Sequence, residues 1–595
     1  MSAELLNYPQ PSQNRGIFAR LLRYMLPHRG KVALSLTILL VATATDVFQP
    51  ILIKIFIDQY LIPHHFPENV MVALSVGYMG LVVTTSGLNV FQLLLFQMLA
   101  LEIIQTLRVE LFDKIQETAL SFFDQTPVGV LVSRITNDTE AILDMFMTVL
   151  STFVQNITVL AGILIAMFAL DARLATYCLV LVPVIAGVMI LYRRISNPVF
   201  HQSRQQLARQ IAKLNESLQG MLVIQSMRQE SRLKREFGEI NESYRRSRFR
   251  NTQINGLLLR PLMDVIYFFV LMLVLWYFGE RSFADFVNIG VLYAFVTYLS
   301  RFFEPVNSML QGMNFFQQAM VSAERVFQIL DNPLLAPKPV GTDDPVICRG
   351  QVTFDDVSFS YDGVSDVLKH ISFTAEPGKT VAIVGHTGSG KSSIVNLLMR
   401  FYPVEHGRIL IDGTDLKTFS VQELRSKIGL VLQDPFLFVG NIASNIRLGN
   451  EKITDAQVEA AAQFVQADTF IRRLPEGYHA PIGERGGTLS TGQRQLISFA
   501  RTMVTDPTIL VLDEATASID TETEDAIQMA LKKMRHGRTT IAIAHRLSTV
   551  QDADLILVLH HGEIVERGSH QELLAIGGLY HKMYLLQQGG TRDLI

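Results

Sequence analysis

Three stretches of this chain carry no charged residue over a length that spans a lipid bilayer. Residues 70–101 run 32 positions without Asp, Glu, Lys or Arg, residues 145–170 run 26, and residues 174–192 run 19. A membrane-crossing helix needs about 20 predominantly apolar residues. Such a segment must also satisfy its backbone polar groups internally, which leaves the helix as the available fold. Shorter apolar runs at 32–57, 261–279 and 286–300 are interrupted or flanked by Asp46, Asp264, Asp285 and Arg301. They bring the expected number of membrane helices to six.

The loops orient these helices. Segments 1–31, 102–142 and 193–250 together hold 21 Lys and Arg, whereas 60–69, 171–173 and 279–285 hold 2. Basic residues accumulate on the cytoplasmic side, so both termini are expected inside. Residues 1–31 lack the pattern of a signal peptide. Within them IFARLLRYML (17–26) reads as a short amphipathic helix lying on the inner membrane surface. The two longer inside segments continue the helical pattern well past the bilayer; a 20-residue extension reaches about 30 Å. They are expected to form two hairpins with broken tips at 124–129, around Pro127, and at 217–220, around Gly220.

Composition narrows the function. Charged residues make up 18% and hydrophobic residues 49%, which excludes a disordered solvating chain. A net charge of −3 gives no basic face for nucleic acid, and no nucleic-acid partner is expected. Two cysteines, Cys178 and Cys348, cannot build a disulfide framework or a four-ligand zinc site, and both read as small packing residues. Asp46 within the first apolar run meets a cationic substrate, sits near the outer boundary in water, or pairs with another helix. Arg260 and Asp264, four apart, are expected to pair.

The pattern changes beyond the sixth run. A helical stretch at 322–331 leads into the Pro-rich linker 331–346, and from 347 to 595 alternating strands, helices and glycine turns signal an α/β domain. Residues 380–384 form an apolar strand running into Gly385-His386-Thr387-Gly388-Ser389-Gly390-Lys391-Ser392-Ser393 and then a helix. This is the P-loop pattern in its required strand–loop–helix setting. Backbone amides of the loop and the helix N-terminus favour phosphate. Lys391 is placed for the β- and γ-phosphates and Ser392 for Mg²⁺. A second apolar strand, 509–512, ends in Asp513-Glu514. Asp513 is suited to organise Mg²⁺ and Glu514 to polarise a water.

Leu489-Ser490-Thr491-Gly492-Gln493 then resembles the signature of ABC ATPases, normally LSGGQ. Tyr361 resembles the aromatic residue that stacks on adenine, Gln433 the Q-loop glutamine, Asp520 in Ser518-Ile519-Asp520 the D-loop aspartate, and His545 the switch histidine. The chain is thereby identified as similar to a type IV ABC exporter half-transporter. Its fold class is expected to be an all-α six-helix transmembrane domain (32–330) followed by an α/β P-loop ABC nucleotide-binding domain. Segments 126–140, 257–264 and 289–305 look most like the MdlB-type subunit of bacterial heterodimeric multidrug exporters.

The resemblance implies further roles. ATP with Mg²⁺ is held by Gly385, Gly388, Gly390, Lys391, Ser392, Ser393, Gln433 and Asp513. Glu514 is the general base, with His545 and Gln433 completing the catalytic set. Ser490, Gly492 and Gln493 face the ATP of a second half-transporter. The hairpin tips act as coupling helices. A cargo of amphipathic drugs or lipid-like compounds, contact with membrane lipid and a bacterial inner-membrane location follow from the same likeness. Homodimeric lipid flippases share most of these features, so a different or an identical partner chain both stay open. Thr491 departs from the family's usual glycine. Its branched Cβ stands beside the partner's phosphates, either as a tolerated variant or as the mark of a signature facing a slow ATP site.

Overall fold

The computed structural model describes residues 11–254, 256, 260–282, 288–337, 345–513, 521–543 and 550–587. The chain divides into two compact units. The first comprises residues 1–116 and 128–332, and the second comprises 117–127 and 333–595.

The first unit is helical. Helix α1 (Pro11–Arg23) precedes α2 (Arg29–Phe56) and the 50-residue α3 (Glu68–Glu117). Within the second unit α4 (Leu120–Gln125) is a single short helix at the first hairpin tip. The first unit then continues with α5 (Val128–Leu170), α6 (Leu181–Gln219), α7 (Met221–Ser226), α8 (Glu230–Ile254), α9 (Arg260–Ser282) and the 42-residue α10 (Ile289–Leu330). Two wider turns, Arg134–Asp138 and Met145–Leu150, interrupt the regular winding of α5.

Among the described residues four helical spans are long and apolar enough to cross a membrane unaided: Leu26–Leu61, Glu68–Glu117, Val128–Leu170 and Pro261–Glu280. The other two expected crossings differ for visible reasons. The run at 174–192 is divided at Val180 between a short helix, Ala172–Leu179, and α6. From Ile289 onward the run at 286–300 is the first part of α10, where Arg301 and Glu304 dilute its apolar character.

The membrane core forms where α2, α5, α9 and α10 meet. Phe295, Tyr298, Leu299 and Phe302 of α10 are buried against Met167, Met263 and Val274. Gly290 permits the approach of α10 to the end of α2: a Cβ there would stand 2.6 Å from both Asp58 Oδ1 and Lys54 O, and its amide donates to Asp58 Oδ1 at 2.8 Å. On the outside, Met79, Val83, Phe268, Met272 and Trp276 are exposed, which suits a hydrocarbon solvent.

The structure departs from the sequence expectation at α1 and at Cys348. Part of the apolar face of α1 packs on α10 instead of lying free for lipid: Phe18 meets Phe316 edge-on, and Arg20 pairs with Asp331 and lies over Phe327. Of the alternatives for Asp46, the structure shows the partner on another helix: it pairs with Arg301. Cys178 is buried as expected, but Cys348 is exposed. The side chain of Arg260, and with it the expected pair to Asp264, lies outside the described residues.

The second unit is an α/β domain. Strands β1 (Val352–Ser360), β2 (Asp366–Ala375) and β4 (His406–Ile411) form an antiparallel sheet in the order β2-β1-β4. A six-stranded sheet combines β3 (Thr380–Gly385), β5 (Ile428–Val431), β6 (Ile509–Asp513), β7 (Thr539–Ile543), β8 (Leu555–His560) and β9 (Glu563–Gly568). Their order is β9-β8-β3-β7-β6-β5. All but β9 run parallel. β3 and β7 are buried along their whole length, as strands covered on both faces must be. β3 and β6 flank β7, so their C-terminal ends open side by side, where α/β sheets bind ligands.

Candidate functional site

The loop after β3 turns into α11 (Lys391–Leu398) through two left-handed glycines, Gly388 at φ +84° and Gly390 at φ +99°. L-residues rarely adopt such angles. Gly390 is also crowded, because a Cβ there would stand 2.7 Å from Leu368 Cδ2 and 2.9 Å from Val367 O. A Cβ on Gly385 would meet Leu559 O at 2.3 Å. The three glycines therefore let the loop close tightly over the ends of β3 and β8.

This loop lines an open cleft of about 360 Å³. Thr387, Gly388, Gly390, Lys391, Ser392 and Ser393 come from the loop and α11, Gln433 from the segment after β5, and Asp513 from the end of β6. Lys391 is buried, and its ammonium donates to Gly385 O at 2.8 Å and His386 O at 2.9 Å. Burial lowers its pKa, and the Asp513 carboxylate opposes that shift. A cation already stripped of water is an effective partner for an anion brought to it. The Ser389 hydroxyl, buried in the same loop, has no hydrogen-bond partner.

Tyr361 lies just beyond β1. Its hydroxyl is 3.0 Å from Ser393 Oγ and accepts from Asn396 Nδ2 at 3.1 Å. Its ring packs edge-on against Phe359 and Tyr402, at 4.8 and 5.0 Å between centroids.

The signature segment opens helix α12 (Thr491–Met503). Ser490 is the N-cap: its hydroxyl accepts from the Gln493 amide at 3.2 Å, while Gln493 Oε1 accepts from the Ser490 amide at 3.0 Å. This reciprocal pair satisfies two otherwise free donors. Gly492 is buried behind it. Thr491 Oγ1 accepts from Arg494, whose guanidinium also donates to Leu489 O. None of the described residues lining the cleft comes from this signature. Glu514, Asp520 and His545 lie outside the described residues.

Residues 32–306 match the model of the ABC transporter transmembrane region, and residues 368–517 match the ABC transporter model. The chain belongs to the ABC transporter family. It is 44% identical, over 97% of its length and 98% of the relative's, to a Streptococcus pneumoniae chain named as the ABC transporter ATP-binding protein exp8. It is 37% identical, over 96% and 98%, to the multidrug resistance-like ATP-binding protein MdlB of Buchnera aphidicola. Among solved structures it resembles a bacterial Atm1-family ABC exporter with ATP bound, with a TM-score of 0.79 at 29% identity, covering 94% of this chain and 99% of that one. This ABC exporter is thus a multi-pass membrane protein of the type IV, MdlB-like kind, acting as a dimer and coupling bound ATP to transport.

Some residues important to the geometry carried no motif signal. Tyr402 and Asn396 hold the Tyr361 ring and hydroxyl. Arg501, in the last turn of α12, donates to Asn445 O, Asn445 Oδ1 and Phe436 O. Asp412 accepts from the amides of Cys348, Arg349, Gly350 and Gln351. Only the fold gathers these partners.

Proposed function

We propose that this ABC exporter is one subunit of a heterodimer that moves amphipathic drugs or lipid-like compounds outward across a bacterial inner membrane, with both termini cytoplasmic. The observation that carries the two-chain reading is the cleft joining Lys391, Ser392, Gln433 and Asp513, together with a signature that lines no part of it; the different partner and the cargo rest on the likeness to the multidrug resistance-like MdlB. One chain thus has half of each of two sites. Two chains arranged head to tail make both whole, each ATP lying between one P-loop and the other chain's Ser490, Gly492 and Gln493.

Within its own half, the amides of Gly385, Gly388, Gly390 and Ser393 and the Lys391 ammonium would bind the phosphates, while Tyr361 would stack on adenine. Glu514 would take a proton from the attacking water, His545 would hold the γ-phosphate as its charge moves, and Gln433 and Asp520 would complete the enclosure. Because the transition state of phosphoryl transfer is largely dissociative, positioning and fixed charge supply most of the catalysis.

The cleft also fits a hard cation. It contains a hydroxyl (Ser392), an amide (Gln433) and a carboxylate (Asp513). Among the described residues no group of three His, Cys, Asp or Glu could hold a metal alone. Mg²⁺ commonly binds through one or two carboxylates with phosphate oxygens and water making up the rest. When bound, it neutralises developing phosphate charge.

The test is composition and then activity. A tagged chain extracted gently from its native membrane should have the native mass of a two-chain complex with a second, different chain of similar size. Reconstituted in liposomes, that complex should move an amphipathic dye in an ATP-dependent manner, and Glu514→Gln should abolish hydrolysis while retaining ATP binding. A dimer of this chain alone would overturn the heterodimer and favour a flippase with two identical sites.

A further inference from the structure

The first hairpin tip is tied to the tyrosine beside the P-loop helix through one side chain. α4 belongs to the same compact unit as the ATPase sheets. Main-chain bonds tie its start to the linker: the Ala119 amide donates to Leu334 O at 3.2 Å, and the Ala336 amide donates to Glu117 O at 2.9 Å. At the other end of α4 the Asp124 carboxylate accepts a hydrogen bond from the Tyr402 hydroxyl.

Tyr402 is 6% exposed, so its ring has little room to move independently of its neighbours. It meets Tyr361 nearly perpendicularly, at 5.0 Å and 89°, and Phe359 at 5.6 Å and 67°. Edge-to-face aromatic pairs have a preferred orientation as well as a contact area. Tyr361 is 44% exposed, with its hydroxyl held by Ser393 and Asn396 at the start of α11. Asp124, Tyr402 and Tyr361 thus form one continuous chain of contacts, so that a displacement of Asp124 would be felt at the surface against which the Tyr361 ring rests. A hydrogen bond to a carboxylate is stronger than a neutral one, which suits a link that must transmit force in both directions.

We propose that Tyr402 is a positioning residue through which the Asp124 tip sets the orientation of the Tyr361 ring, and so the affinity for ATP. This rests on the reading of Tyr361 as the adenine-facing residue. Linkage is reciprocal: if the tip's position alters ATP affinity, bound ATP biases the tip by the same factor.

The experiment uses the intact complex in liposomes and measures KM for ATP, kcat, and stimulation of hydrolysis by a transported dye. Tyr402→Phe keeps the ring and removes only the hydroxyl. It should raise KM about 3- to 10-fold, leave kcat at saturating ATP within twofold, and abolish most of the dye stimulation. Asp124→Ala should do the same, and the double variant should be no worse than either single one. Wild-type KM and stimulation in both single variants, or effects that multiply in the double variant, would overturn the proposal. A Tyr402→Phe protein that lost kcat in parallel with KM would also overturn it, as a merely structural defect. Tyr361→Ala separates the underlying reading. If it leaves KM for ATP unchanged, the adenine assignment fails. If it raises KM while Tyr402→Phe does not, only the link fails.

Discussion

Asp46 and Arg301, 255 positions apart in the chain, meet with carboxylate oxygen and guanidinium nitrogen 2.9 Å apart. The same guanidinium reaches Gln49 Oε1, and the Tyr298 hydroxyl one turn earlier donates to Val47 O. The first and last membrane helices are therefore joined by a polar patch as well as by packing.

This pairing changes what Asp46→Asn should do. A carboxylate already engaged by a guanidinium is a poor receptor for a cationic substrate. The variant should weaken efflux of cationic and neutral dyes to the same degree, through loosened packing of α2 on α10. Both side chains are about one-third exposed, so the stability cost should fall below the ~3–5 kcal/mol of breaking a fully buried pair. Dye efflux compared across charge classes, alongside a thermal melt, checks this. A loss confined to cations would return Asp46 to substrate recognition.

Gly390→Ala should remove nucleotide binding. The new methyl would meet Leu368 Cδ2 and Val367 O inside van der Waals distance at a φ of +99°, so the turn into α11 must open. Titration with a fluorescent ATP analogue should show at least a tenfold weaker affinity. Wild-type affinity would show that the loop tolerates a different path.

Asp412 should give the ATPase unit a pH-dependent anchor. Burial by itself raises its pKa, but hydrogen bonds from the amides of Arg349, Gln351, Gly350 and Cys348 outweigh that and hold it below 3.8. For a carboxylate with a depressed folded pKa, the stabilisation is full above the unfolded value near 3.8 and is lost as pH falls through the lower folded one. Asp412→Ala should cost about 1–2 kcal/mol at pH 7. The gap to the parent should shrink below pH 4. Scanning fluorimetry of the full chain at several pH values measures it, and a gap that grew on acidification would contradict the assignment.

Thr491→Gly should change steady ATP turnover less than twofold if this signature faces a slow partner site. The substitution also frees Arg494 from Thr491 Oγ1, while its bond to Leu489 O keeps the segment in place. Turnover of the purified complex is the readout. A several-fold rise would mean that the threonine restrains a working site.

How far the sequence was legible depended on the range of the interaction concerned. The P-loop could be read because strand, glycines, lysine and helix are contiguous, and each glycine answers a local backbone need. The signature could be read because its N-cap box spans only four residues, from Ser490 to Gln493. The fourth apolar run was harder: hydropathy alone does not reveal a break at Val180, because the residues on both sides of it are equally apolar. The lipid-surface reading of α1 could not foresee the partner of Arg20, because Asp331 is 311 positions away. Cys348 was misread because cysteine is usually buried, whereas here its main chain serves as one of the amides capping Asp412.

By itself the sequence determined the order of the two domains and the strand–glycine–helix build of the phosphate loop. Each follows from hydropathy or spacing over a few turns of chain. Tertiary structure alone decided which distant side chains would meet: Asp46 with Arg301, Asp412 with four amides, and Asp124 with Tyr402 beside Tyr361. Such contacts form only after chain segments hundreds of residues apart have been brought together. Burial then makes an unpaired polar group costly, so the pairing that satisfies it persists.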